Sequence, residues 1–162
     1  LIDLGDVVQI FSNDQIHNIM RYSRSPHQNF TEFANHYFAS SLADLTSFMR
    51  FKSGANETIQ QLVHNFVPYP KIHFLTLHHY PLMQKCNYPP DDIFKIHAHL
   101  IDKRHCLANY DYRHGRFFNS WSLVRSNFNP RDLRDAVLNA QNKSSSYHVY
   151  TIPDNWKWTA LP

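Results

Sequence analysis

The sequence predicts an α/β fold, a two-layer sandwich of short strands and helices packed on one long central helix. Three observations carry that prediction. Residues 29–51, NFTEFANHYFASSLADLTSFMRF, form the longest uninterrupted helical pattern in the chain. After it, segments with strand character alternate with segments of helical period, the order that lays helices against a sheet. The chain has 162 residues, enough for one domain to bury about 70% of its unfolded surface.

Each element follows from local chemistry. Within 2–11, the run VVQIF is rich in β-branched residues and enters a turn as a short strand. Ser12-Asn13-Asp14 offers side-chain oxygens to the free N–H groups of a first helical turn, and Ile16, Ile19 and Met20 follow at helical spacing, so a short helix is expected over 14–22. Ser25-Pro26 breaks the chain before the long helix. There Phe30, Phe33, Tyr37, Phe38, Leu42, Leu45, Phe48 and Met49 cover about half the circumference, wider than the stripe of a one-sided surface helix. Such a helix, roughly 33 Å long, needs cover on more than one side. Left without strands from upstream, part of its apolar half stays open and favours aggregation. Glu32, His36, Ser40, Ser47 and Arg50 form its polar arc, with Asn35 at the edge, while Asp44 falls inside the apolar half and must be either paired or a flaw in the pattern. Lys52-Ser53-Gly54 ends it.

A short amphipathic helix over 57–66 then presents Ile59, Leu62, Val63 and Phe66 on one face, and Pro68 and Pro70 stop it. A strand is expected over 71–77, a loop over 78–90, and a helix over 91–100 with Asp91 and Asp92 at its positive end. A strand over 117–125 leads to a helix over 130–139, capped by Asn129 with Pro130 in first position and Leu133, Val137 and Leu138 facing inward. Short strands over 147–152 and 156–161 close the chain.

Aromatic residues make up 15% of the chain and the net charge is +3, which excludes a disordered polyelectrolyte. Its basic residues are too dispersed for a nucleic-acid footprint, and no apolar run spans a membrane, so neither partner is expected. Cys86 and Cys106 fall outside any CxxC pair and are expected to be reduced cytosolic thiols. The sequons at Asn29, Asn56 and Asn142 read as chance.

Twelve histidines invite a metal reading, but His97 and His99 at i, i+2 on a helix point about 200° apart, and no HExxH or Cys/His quartet occurs. No metal ligand is therefore assigned. Nor does a nucleophilic Cys/His or Ser/His site have a local signature. Gly5, Gly54 and Gly115 are too scattered to cradle a phosphate. Asn13 and Asn35 carry carboxamides able to match the donor and acceptor edge of guanine, although a cap explains Asn13 equally well and a helix edge explains Asn35.

Several stretches together resemble the tubulin family. FVPYPKIHF (66–74) is similar to the turn and strand after the short helix that follows the tubulin core helix, and DYRHGRF (111–117) to the family's Asp-Pro-Arg-His-Gly segment. LNAQNKSSSYHVYTIPDN (138–155) looks most like the β-tubulin branch, whereas VPYPKIHF leans towards α. FSNDQIHNIMR (11–21), and MRF (49–51) before a Gly-containing loop, keep the same order and nearly the same spacing.

The resemblance covers essentially the whole chain and implies a tubulin/FtsZ-type arrangement: the end of a nucleotide-binding domain over 1–28, the core helix over 29–51, and an intermediate two-layer sandwich over 52–162 that stops before its final strand. It implies a segment of a GTP-binding subunit of microtubules, cytoplasmic and cytoskeletal, whose partners are other tubulin subunits along and across protofilaments. The guanine-contacting asparagines fall on Asn13 and Asn35, and the base-stacking aromatic on Thr31 or, with a one-residue shift, Phe30. The family's phosphate-binding glycine loops lie upstream of Leu1, so GTP belongs to the full-length protein and magnesium is not expected on this segment.

In the family, the loop after the core helix meets the nucleotide of the next subunit and an acid there orients the attacking water. Here that stretch reads KSGANETIQQL (52–62), with Thr58 where the family usually has Asp and Gln61 at the position that is Glu in α and Lys in β. No α-type catalytic acid stands there, and no catalytic residue is assigned. The loop 78–90 is shorter than the family's lateral-contact loop, and Asn119, Ser120 and Ser122 put polar groups into a strand that is mostly apolar in the family, pointing to relaxed constraint or a specialised partner. The alternative reading is a truncated, non-polymerising interaction module without nucleotide chemistry. A histidine-based metalloenzyme is the third.

Overall fold

A computed structural model describes residues 1–23, 29–51, 58–82, 92–111, 114–125, 128–143, 148–149 and 156–161; of Leu62, Asn65, Lys143, Ala160 and Leu161 it describes the backbone. The elements in order are β1 (Val8–Ile10), α1 (Asn13–Ser23), α2 (Phe30–Leu45), α3 (Ser47–Arg50), α4 (Ile59–Phe66), β2 (Phe74–Thr76), α5 (Ile93–Ile101), a 3-10 turn Lys103–His105, β3 (Ser120–Arg125), α6 (Pro130–Lys143) and β4 (Trp156–Leu161). The fold is α/β. Among the described residues, β1 pairs with β2 and β3 with β4, both parallel. None of the described helices is long and apolar enough to cross a membrane.

The long helical pattern is divided at Thr46, where one continuous helix was expected. The cause lies in the hydroxyls. Thr46 Oγ1 donates to the Leu42 carbonyl at 2.8 Å and Ser47 Oγ to the Asp44 carbonyl at 2.5 Å, and such back-bonding competes with the helical ladder. Phe33, Ala34, Tyr37 and Ser41 of α2 and Phe48 of α3 are buried, whereas Leu42 is 43% and Met49 45% exposed, so the expected apolar half is covered in part. Asp44 is paired, as one branch of the sequence reading required.

Among the described residues, two clusters form the core. Ile16 and Ile19 of α1 meet Phe33, Ala34 and Tyr37 of α2 and Leu107, while Ile93 of α5, Val124 of β3 and Leu133 and Ala136 of α6 make the second. Val124 lies on the face of β3 that α5 and α6 cover. Trp121, on the opposite face, takes Phe48 of α3 edge-on at 5.2 Å and Phe66 of α4 at 5.7 Å. The strand layer thus stands between a helix layer and the end of the central helix.

Three expectations shift. Lys71 has φ 70 and sits in a turn closed by Ile72 N–H to the Tyr69 carbonyl at 3.2 Å, so the strand expected over 71–77 shortens to Phe74–Thr76. Leu138, expected to face inward, is 46% exposed, while Leu133 and Val137 are buried. With α6 extending to Lys143, Ala136 and Ala140 fill the inner face instead. The strand expected over 147–152 lies mostly outside the described residues; within them, His148 forms a parallel bridge with Phe117.

Candidate functional site

Asn13 opens α1, and the placement of that helix is strongly determined. Ser12 N–H donates to the Leu107 carbonyl at 3.0 Å, and Ser12's own carbonyl accepts from Ile16 N–H at 3.1 Å. Gln15 is buried and donates Nε2 to the Lys103 carbonyl at 3.0 Å. With Ile16 and Ile19 inaccessible to solvent, α1 can turn only its outer face outward, and Asn13 and His17 stand on that face, exposed. Asn35 stands exposed on α2, next in sequence to buried Ala34.

The two helices pack through apolar and aromatic contacts. Phe11 meets Phe38 edge-on at 4.6 Å, and the His17 imidazole lies flat on Phe30, centroids 3.6 Å apart and planes 9° from parallel. Thr31 is exposed and has no ring to offer. Asn13 and Asn35 therefore occupy neighbouring, tightly packed helices and keep their donor and acceptor groups towards solvent.

Gln61 has a structural partner. Its Oε1 accepts Thr58 N–H at 2.8 Å, and Thr58 Oγ1 accepts Gln61 N–H at 3.3 Å, a reciprocal capping box at the start of α4. The T-x-x-Q spacing before an apolar run is the sequence signal for this role.

A second cluster ties the central helix to both strand regions. His79 Nε2 donates to Asp44 Oδ2 at 3.0 Å, and Arg125 Nη1 donates to Asp44 Oδ1 at 3.2 Å. Tyr37 stands edge-on to the His79 ring at 5.4 Å. The His79 hydrogen bond first, and then Arg125, hold the Asp44 carboxyl below its ordinary range. Burial pushes the Tyr37 hydroxyl up, keeping it neutral.

The polar residues of β3 are satisfied inside the fold. Ser120 Oγ and His148 Nε2 are hydrogen-bonded at 2.8 Å, Trp156 Nε1 donates to Ser122 Oγ at 2.8 Å, and Trp121 Nε1 donates to Thr159 Oγ1 at 2.9 Å. These contacts supply a reason internal to the sheet for the serines that had pointed to relaxed constraint or a specialised partner. No periodicity announces them, because each joins residues far apart in sequence.

The histidines divide by surroundings. His97 is buried and its Nδ1 donates to the Ile93 carbonyl at 3.3 Å, while His99 stacks on Tyr80 at 5.1 Å. His78 Nδ1 donates to the Leu100 carbonyl at 2.6 Å. Burial lowers the His78 and His105 imidazoles to about 4, with neighbouring His99 adding to the effect at His105. Burial also lowers His97 and His148. Among the described residues no group of three or more His, Cys, Asp or Glu side chains is arranged to hold a metal. Cys106 is a buried free thiol whose pKa burial raises, and Cys86 lies outside the described residues.

Residues 70–161 match the family model of the Tubulin C-terminal domain, itself an α/β sandwich. The matched segment carries β2, α5, β3, α6 and β4 and takes in most of FVPYPKIHF's strand, DYRHGRF and the stretch from Leu138 onward. Since that match spans more than half of the 162 residues, the chain belongs to the tubulin family.

Proposed function

We propose that this chain is part of a guanine-nucleotide-binding subunit of a cytoskeletal polymer, a structural constituent of microtubules in the cytoplasm, in which Asn13 and Asn35 contact the guanine of GTP. The observation that carries the reading is family membership over residues 70–161, joined to two exposed carboxamides on the packed pair α1 and α2. A carboxamide can donate to and accept from the guanine edge without bringing a charge. Its partners would be other tubulin subunits, the branch β-leaning, and the organisation a nucleotide-domain end over 1–28, a core helix over 29–51 and an intermediate domain over 52–162. Phosphate and magnesium ligands are sought in the remainder of the full-length protein. With Gln61 in a capping box, hydrolysis is not assigned to this segment.

The same capping box favours a second reading, a non-polymerising interaction module that keeps the fold without nucleotide chemistry. An immunoblot of the endogenous protein with an antibody raised against residues 127–142 separates the two. A band well over twice the 19.2 kDa of this chain leaves room for a complete nucleotide half, whereas a band near that mass removes the GTP reading. In a full-length protein, Asn35→Ala should weaken GTP binding by about 1–3 kcal/mol, the cost of a hydrogen bond left unmade. Unchanged affinity would make Asn35 a structural residue.

A further inference from the structure

We propose that the His17 imidazole, backed by Phe30, is the platform on which this site stacks its purine base; the proposal rests on the reading of Asn13 and Asn35 as guanine contacts. The family's stacking aromatic falls on Thr31 or Phe30, and neither is free to act in that way. Thr31 lacks a ring. Phe30 is half-buried against the core around Ile16 and Ile19, and one of its faces is taken by His17 at 3.6 Å and 9°. That spacing is already van der Waals contact between flat rings, so no base enters between them.

His17 has the properties that the two lack. Its ring is exposed, and contact with Phe30 holds it flat from behind, leaving the far face open. Asn13 precedes it by four residues on α1, about 40° around the helix, so carboxamide and ring share one side. A flat heteroaromatic surface beside a group that both donates and accepts matches a purine by face and by edge together. A second aromatic behind the first gives the platform rigidity, and little side-chain freedom remains to be lost when a base lands. The aromatic absent at Thr31 is thus supplied by the neighbouring helix.

The test is a titration of the protein at its natural length with guanosine, a probe that needs no phosphate site, followed by NMR of the histidine rings and asparagine side-chain amides. Stacking moves the His17 ring protons upfield along with shifts at Asn13 and Asn35. His17→Ala then weakens guanosine binding by roughly tenfold, and His17→Phe, which keeps a ring, restores it to within about twofold. Shifts at both asparagines with an unmoved His17 ring, and wild-type affinity in His17→Ala, overturn the platform and leave the guanine reading standing. Saturating guanosine that moves neither asparagine overturns both.

Discussion

The region where α1 meets α2 and the region where β3 and β4 meet α5 and α6 bury their interiors by different chemistry. At the first, Ile16, Ile19 and Leu107 are fully enclosed and meet aromatic rings of α2. The second has an apolar centre at Ile93, Val124 and Leu133, but Ser122, His97, His148 and Thr159 are buried around it, tied by hydrogen bonds to tryptophans, a serine and a backbone carbonyl. Apolar packing tolerates small shifts, because dispersion has no direction. A hydrogen bond between buried partners has a direction, and losing one partner leaves the other unsatisfied. The first region should therefore respond to lost volume, and the second also to lost partners and to protons.

Volume produces the largest expected effect. Ile19→Ala and Leu133→Ala, both at fully buried positions, should each cost about 2–5 kcal/mol in denaturant unfolding. If the two regions form one cooperative unit, either variant lowers a single transition; two transitions that separate in one variant would show that the regions unfold independently.

Acid is next. Burial lowers the folded-state pKa of His97, on α5, and of His148, bonded to Ser120 of β3, so their neutral forms stabilise the fold fully above the unfolded value near 6.5. That stability is lost as pH falls below 6.5 through the lowered folded-state values, because the unfolded chain binds protons first. Hydrogen exchange at pH 5 should show amides of α5 and β3 losing protection before those of α1. Equal loss in the two regions would break the comparison.

A lost partner should act more weakly. Ser122→Ala leaves the Trp156 indole N–H without its acceptor and should cost about 1–3 kcal/mol, whereas Ser122→Ala combined with Trp156→Phe should recover part of that. A double variant as destabilised as the sum of its singles would mean that the pair is packing and not a hydrogen bond. Smallest is the joint between the regions. Asp44→Asn keeps the shape but weakens both the His79 and Arg125 contacts, and at a part-exposed site this should cost about 0.5–1 kcal/mol, measured by the denaturation midpoint. A cost above that of Ser122→Ala would make the joint a main support of the fold.

Local chemistry accounts for what could be read in advance. The helical period over 29–51 marked the central helix, and Asn129 before Pro130 marked the start of α6, where Asn129 Oδ1 accepts Arg131 N–H at 3.0 Å. Family resemblance carried further than any single motif, because several weak patterns kept one order along the chain. Where the reading went astray, a competing interaction had won. Thr46 and Ser47 bonded back to their own helix, Lys71 entered a turn, and Leu138 faced outward once alanines filled the inner face of α6.

By itself, then, the sequence determined the kinds of element, their order and the family, since these follow from period, capping and turn chemistry acting over a few residues. The tertiary structure alone decided that Asp44 has partners on two distant segments, that the β3 serines serve tryptophan and histidine, and that His17 lies on Phe30. Such contacts depend on how elements pack in space, and the spacing of residues along the chain does not encode which distant side chain will arrive.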